Sequence, residues 1–289
     1  MIAFVGALLI GAAVGVLTGL FGVGGGFLIT PLLNILLGVP MPVAVGTGAL
    51  QILGVSTSGL VRRRHERLTD FKIAIVLLGG NLIGVRLGAD TLSWLGQLGT
   101  LSFGGERVPT VEFVLLCIFF VLLSAIAVWL WYDTSRPNAS PVRRVGLFAR
   151  IKIPPYTEFP SLEEPRLSLV AMSYFGLALG FLTGLLGIGG GVLMVPALVY
   201  LVGLRTHKAA ATSLAIIWLS SLIATITHAA RGNADLLLAI PLLLGGTAGL
   251  QLGVNLCNRL AGPQLRRYFS LVVLTASLIV IGKILVIVL

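Results

Sequence analysis

The sequence predicts an all-α, polytopic membrane bundle built from two inverted repeats. Each repeat holds a Gly-rich broken or re-entrant helix pair followed by three spans. Three observations predict it: the composition, a duplicated glycine motif, and the placement of basic residues. Of the 289 residues 57% are hydrophobic and only 10% charged, with 37 glycines. A soluble domain carries about 25% charged residues, so no water-facing shell can be made from this composition. A cytosolic enzyme, a nucleic-acid binder and a secreted disulfide scaffold are thereby excluded. The expected partner is the lipid bilayer of the cell (inner) membrane, crossed several times.

The apolar stretches follow one another at 2–20, 26–38, 42–61, 71–92 and 112–132, then at 167–186, 191–203, 207–229, 235–258 and 268–288. Crossing the hydrocarbon core takes about 20 helical residues, so 26–38 and 191–203 are too short for ordinary spans. The first stretch lacks a basic flank and a small-residue cleavage site, and reads as a membrane segment. Residues 133–166 hold six of the 13 prolines and charges of both signs. They make a Pro-rich cytoplasmic linker with little expectation of compact structure. The division is therefore 1–132, 133–166 and 167–289. Cys117 and Cys257 lie apart inside apolar runs, so neither a disulfide nor a metal spacing is visible.

The repeat is explicit. Gly15-Val-Leu-Thr-Gly-Leu-Phe-Gly-Val-Gly-Gly-Gly26 is echoed by Gly180-Phe-Leu-Thr-Gly-Leu-Leu-Gly-Ile-Gly-Gly-Gly191, 165 residues on. Without a gap the same offset pairs Pro31 with Pro196, Thr47 with Thr212, Ser56 with Ser221 and Asp70 with Asp235. It also pairs Gly80, Gly84 and Gly88 with Gly245, Gly249 and Gly253. A constant register over some 75 residues exceeds what chance glycines produce.

The net charge of +10 reports orientation and not nucleic acid. Arg62, Arg63, Arg64, Arg67 and Lys72 crowd the 62–72 connection, whereas its repeat partner holds only Arg231. Arg205, Lys208, Arg259, Arg266 and Arg267 occupy connections whose first-half equivalents hold only Arg107. Inverted halves put sixteen basic residues inside and two outside; parallel halves give twelve and six. Inversion needs an odd number of crossings per half, which a returning pair plus three spans supplies.

Gly22-Val-Gly-Gly-Gly26 and Gly187-Ile-Gly-Gly-Gly191 concentrate residues that each cost about 1 kcal/mol in a helix. Broken backbone at membrane depth survives only inside protein or against a water-filled cavity. The pieces that follow would be half-helices, with free N–H groups and positive dipole ends at the break. Two such ends meeting across an inverted repeat would form an anion site. The competing reading is close helix packing through small residues, and for Gly15/Gly19 and Gly84/Gly88 it is the favoured one. No lysine-Ser/Thr or strand accompanies the glycines, so a nucleotide loop is not indicated, and no cofactor is implied.

Gly24-Gly-Gly-Phe-Leu-Ile-Thr-Pro31 and Gly189-Gly-Gly-Val-Leu-Met-Val-Pro196 resemble the TauE/SafE sulfite exporter-like permeases. So do Thr47-Gly48, Thr212-Ser213 and Gly84-Val-Arg-Leu-Gly88. The resemblance covers both halves. It implies a permease without enzymatic activity for small sulfur-containing anions such as sulfite, thiosulfate or sulfoacetate.

The candidate substrate site comprises the glycines Gly22, Gly24, Gly25, Gly26, Gly187, Gly189, Gly190 and Gly191. The hydroxyls of Thr18, Thr183, Thr47, Thr212 and Ser213 and the amide of Gln51 could complete it. Asn81, Gln251 and Arg86 are further candidates, although Arg86 can instead pair with Asp90 one turn on. Hydroxyls in membrane helices also commonly bond their own backbone. Every acidic residue lies outside mid-span positions, so a carboxylate proton relay is not evident and a secondary carrier is expected. The alternative class is an intramembrane enzyme acting on an anionic lipid or phosphate, which lacks its usual carboxylate or arginine-serine motif here. The sequence leaves the oligomeric state open.

Overall fold

A computed structural model describes residues 2–64, 68–103, 106–134, 146–151, 153–159, 162 and 166–288. The first half contains α1 (Ile2–Phe21), α2 (Gly26–Leu37), α3 (Met41–Arg63), α4 (Phe71–Gln97) and α5 (Thr110–Thr134). A hairpin of β1 (Thr100–Phe103) and β2 (Glu106–Pro109) joins the last two. The second half contains α6 (Leu169–Leu186), α7 (Gly191–Ala197), α8 (Thr206–Ala229), α9 (Leu236–Cys257) and α10 (Gly262–Val288). Eight of these helices are long and apolar enough to cross a membrane; α2 and the α7 segment are not. The chain is a polytopic helical membrane protein.

The short segments end early for local reasons. Pro31 and Pro196 lie inside them and remove a backbone donor. After Pro196 the chain loosens into a π-turn, Leu198–Val202, and stops at left-handed Gly203. The first segment stops at left-handed Gly38, whose N–H returns to Asn34 O. Asp70 and Asp235 start α4 and α9 as N-caps, their carboxylates accepting the amides of Lys72 and Ile73 in one case and Leu238 in the other.

The halves are interleaved. Helix α1 lies along α9, Gly11 against Leu242, Gly15 against Gly246 and Gly19 against Leu250. The equivalent pair is α6 along α4, with Gly176 against Leu77, Gly180 against Asn81 and Gly184 against Val85. Residue numbers rise together in both pairs, so the partners run parallel. From the other side Gly80, Gly84 and Gly88 press on α6, as Gly245, Gly249 and Gly253 press on α1. A Cβ at any of these would enter the partner's backbone, so here the small residues serve close packing, as favoured for Gly15/Gly19 and Gly84/Gly88. Helices α3 and α8 meet at the centre in opposite directions, Gly46 beside Asn233 and His228, and Gly59 beside Leu214. Helices α5 and α10 are joined by a Ser124–Ser277 hydrogen bond of 2.8 Å.

The described residues of the linker hold more structure than its composition predicts. Strands β3 (Tyr156–Glu158) and β4 (Arg166–Ser168) pair antiparallel, and a 3-10 turn covers Leu147–Arg150. Phe148, Phe159 and Leu167 are buried in a cluster with Ile73, Met172 and Val202. The aromatic residues supply an apolar area that the proline content does not indicate. Residues 135–145 of this stretch lie outside the described residues.

Adjacent glycines of α4 provide a test of the packing. Gly80 abuts the backbone of Ser173 and Leu177, whereas nothing lies within 4 Å of a Cβ at Gly79. Gly80→Ala is expected to lower stability in detergent by about 1–3 kcal/mol. Gly79→Ala should be neutral or stabilising by up to about 1 kcal/mol. Thermal unfolding of the two purified variants checks this.

Candidate functional site

Both glycine stretches break the helix in the same way. The last helical bonds are Gly22 N to Thr18 O (2.8 Å) and Gly187 N to Thr183 O (2.9 Å). Gly22, Gly24 and Gly25 then take φ of 69°, 73° and 70°, and Gly187, Gly189 and Gly190 take 68°, 62° and 72°. L side chains rarely adopt this region, which accounts for the residue type. The chain reverses there, so α2 folds back along α1, with Leu37 returning beside Gly6.

The two breaks touch. A Cβ on Gly26 would lie 2.7 Å from the Gly187 carbonyl oxygen, and in return Gly191 abuts the Val23 carbonyl. Between them stand Ile52 and Ile217, related by the same 165-residue offset. A Cβ on Gly24 would be 2.8 Å from Ile217 Cγ2 and 3.2 Å from Ile52 Cγ2; on Gly189 the figures are 3.2 Å and 3.3 Å. Both isoleucines are buried and sit at the midpoints of α3 and α8, so the breaks meet at mid-height of the central helices. Reading for polar residues passes over this apolar pair; extending the repeat register would have found it.

Around these contacts lie buried amides without acceptors. Among the described residues, none accepts a hydrogen bond from the N–H of Gly24, Gly25, Gly26 or Phe27, nor from that of Gly189, Gly190 or Val192. An unpaired buried polar group costs about 1–3 kcal/mol. Seven such donors at two facing helix starts form a concentrated positive potential. No group of three or more His, Cys, Asp or Glu that could hold a metal occurs among the described residues.

The predicted hydroxyls are placed differently. Thr18 and Thr183 are buried beside the breaks, but each donates to its own helix, at Val14 O (2.9 Å) and Leu179 O (2.8 Å). Thr47 and Thr212 instead bridge the halves. Thr47 Oγ1 accepts the amide of Asp235, and Thr212 Oγ1 that of Asp70, each at 3.0 Å. Ser213 donates to the carbonyls of Gly22 (2.5 Å) and Ala210 (2.9 Å), so it steadies the first break. Its repeat equivalent is Gly48, which cannot do the same.

Gln51 is fully buried against Gly246, and neither amide atom has a protein partner. Asn81 is buried with its Oδ1 unpartnered, and Gln251 Nε2 reaches Ser58 Oγ at 3.4 Å. The Arg86–Asp90 pair does not form. Arg231, from the turn between α8 and α9, binds Asp90 and displaces the same-helix partner, leaving Arg86 on the exposed face of α4. Two basic residues outside the candidate set also lie beside the breaks. Arg63 Nη2 donates to Gly19 O at 2.8 Å, and His228 Nε2 lies 2.9 Å from Gly184 O. These positions are also 165 residues apart.

Eight long apolar helices among the described residues, around paired mid-height breaks, define a multi-pass membrane protein. The sequence profile described as Sulfite exporter TauE/SafE matches residues 7–280. The chain belongs to that transporter family and is a protein of the cell membrane. It is 28% identical over 275 residues to the probable membrane transporter protein YjnA of Bacillus subtilis, covering 95% of this chain and 98% of that one. A probable membrane transporter protein of Xylella fastidiosa is 28% identical over 276 residues, covering 94% and 93%. The probable membrane transporter protein YunE of Bacillus subtilis is 29% identical over 264 residues, 89% of each chain. No solved structure matches the chain. Membership in a transporter family sets aside the alternative of an intramembrane enzyme.

The threonine bridges carry the next expectation. Thr47→Val and Thr212→Val each leave an aspartate amide without its acceptor, and each should cost about 1–3 kcal/mol. Equivalent positions predict similar losses, read as the fall in thermal midpoint of the purified variants.

Proposed function

We propose that the chain is a secondary carrier for small sulfur-containing oxyanions or organosulfonates, of the sulfite, thiosulfate and sulfoacetate class. The anion is held between the two glycine breaks. The observation that carries this reading is the set of seven buried amides without acceptors at two touching helix starts. Such donors suit an oxyanion, whose several acceptor oxygens can take many N–H groups at once. The absence of a carboxylate from the breaks fits an anion as cargo. The family name supplies the sulfur chemistry.

The carrier works as inverted halves about a fixed site. What supports inversion is that α3 runs against its equivalent α8, while α1 runs with α9 and α6 with α4. In that arrangement α1 enters, α2 returns to the same side, and α3, α4 and α5 cross. The 62–72 connection then shares a side with the linker, in keeping with the Lys72 Nζ to Glu158 O bond of 2.6 Å. That side is cytoplasmic by its excess of arginine. The Asp90–Arg231 pair lies at the opposite end. In the arrangement seen, Ile52 and Ile217 close the space between the breaks, so access to the anion requires α3 and α8 to shift relative to the two helical hairpins.

Proteoliposomes containing the protein are expected to take up labelled sulfite or thiosulfate without ATP. Gly24→Ala or Gly189→Ala should reduce uptake about tenfold or more, since a left-handed backbone and a methyl against isoleucine both disturb the donor array. Gly38→Ala carries similar strain (φ 64°) away from the breaks, with nothing within 4 Å, and should keep its flux. Uptake that depends on ATP, or is equal in wild-type and Gly24→Ala, contradicts the proposal.

A further inference from the structure

Arg63, in the last turn of α3, is only 2% exposed. A guanidinium carries five N–H donors and stays charged at any physiological pH. Among the described residues it donates one hydrogen bond, from Nη2 to the carbonyl of Gly19, and Nε is buried with no described partner. No described carboxylate pairs with it. Its neighbour Arg62 turns outward and bonds Asn255 Oδ1 at 3.1 Å. An ion buried with no counter-charge beside it among the described residues is costly, and a single carbonyl dipole does not offset that. The remaining donors therefore call for a small anion.

Its location agrees. Gly19 is three residues before left-handed Gly22, so the carbonyl that holds Arg63 belongs to the last turn of α1 before the first break. The second half builds the same contact from different chemistry. His228 is fully buried, and its Nε2 meets Gly184 O, three residues before Gly187. Because that oxygen can only accept, Nε2 carries the proton, and in the neutral ring Nδ1 presents a lone pair with no partner. The two equivalent positions thus carry a guanidinium in the first half and an imidazole in the second.

We propose that Arg63 is an oxyanion-binding residue at the 62–72 end of the carrier, aligned by Gly19 O so that its free donors take the anion on its way to or from the breaks. The assignment rests on reading the chain as an anion carrier. Thermal unfolding in detergent, with thiosulfate or with gluconate at equal ionic strength, tests it on the wild type, Arg63→Gln and Arg63→Lys. Thiosulfate should stabilise the wild type. Arg63→Gln should raise the apparent Kd about tenfold or more, as expected for losing a charge-assisted contact, without lowering the midpoint in gluconate. Arg63→Lys should retain most of the thiosulfate response. Should Arg63→Gln not assemble, Arg63→Met, which keeps an apolar stem without the charge, carries the same expectation.

A wild type that thiosulfate does not stabilise overturns the proposal. So does Arg63→Gln with a lowered gluconate midpoint and an undiminished thiosulfate response, because Arg63 would then only brace the helix end. An undiminished thiosulfate response in Arg63→Met overturns it as well. Flux in proteoliposomes separates the two readings. Arg63-dependent stabilisation without thiosulfate flux sinks the carrier reading and leaves the site, whereas flux unchanged by Arg63→Gln does the reverse.

Discussion

The contact between the two glycine breaks is the constraint around which the protein is organised. Gly26 on the Gly187 carbonyl and Gly191 on the Val23 carbonyl bring two left-handed turns into contact at mid-height of the bundle. Backbone that leaves a helix inside a membrane must be enclosed by protein, because lipid offers its N–H groups nothing. The rest of the fold supplies that enclosure. Helices α3 and α8 cross beside the breaks and fill the centre with Ile52 and Ile217, while the α1–α2 and α6–α7 hairpins hold the breaks from either side.

The hairpins are held in turn by the opposite half. Helix α1 is clamped by α9 and α6 by α4, through glycines that admit no Cβ at the contact. Apolar burial separates helices poorly from lipid, so close backbone approach and specific polar contacts must select the partner. Two threonines do this by accepting an aspartate amide across the repeat boundary, Thr47 for α9 and Thr212 for α4. The same aspartates start those helices, so a single residue sets both where the helix begins and which half it joins.

Much of this was legible from residues alone. The spans follow from apolar length, and the breaks from four glycines in five positions repeated at one offset. The two shortened segments followed from length as well, and left-handed Gly38 and Gly203 mark their ends. Long-range partners were less visible. Thr47 and Asp235 are 188 residues apart, and nothing local indicates that the hydroxyl serves a helix cap and not a ligand. Arg63 was hidden in an arginine run that reads as a solvated connection, although burial removes it from that class. The Arg86–Asp90 expectation failed because spacing along one helix takes no account of Arg231 arriving from a neighbouring turn. In the linker, proline content masked Phe148 and Phe159, which bury it against the bundle.

The direct measurement is an experimental structure of the purified protein saturated with thiosulfate. The carrier described here predicts density for the anion between Gly24–Gly26 and Gly189–Gly191, within hydrogen-bond distance of their amides, with Ile52 and Ile217 moved apart. Thiosulfate bound elsewhere, with the two breaks still in contact and their amides untouched, would contradict it.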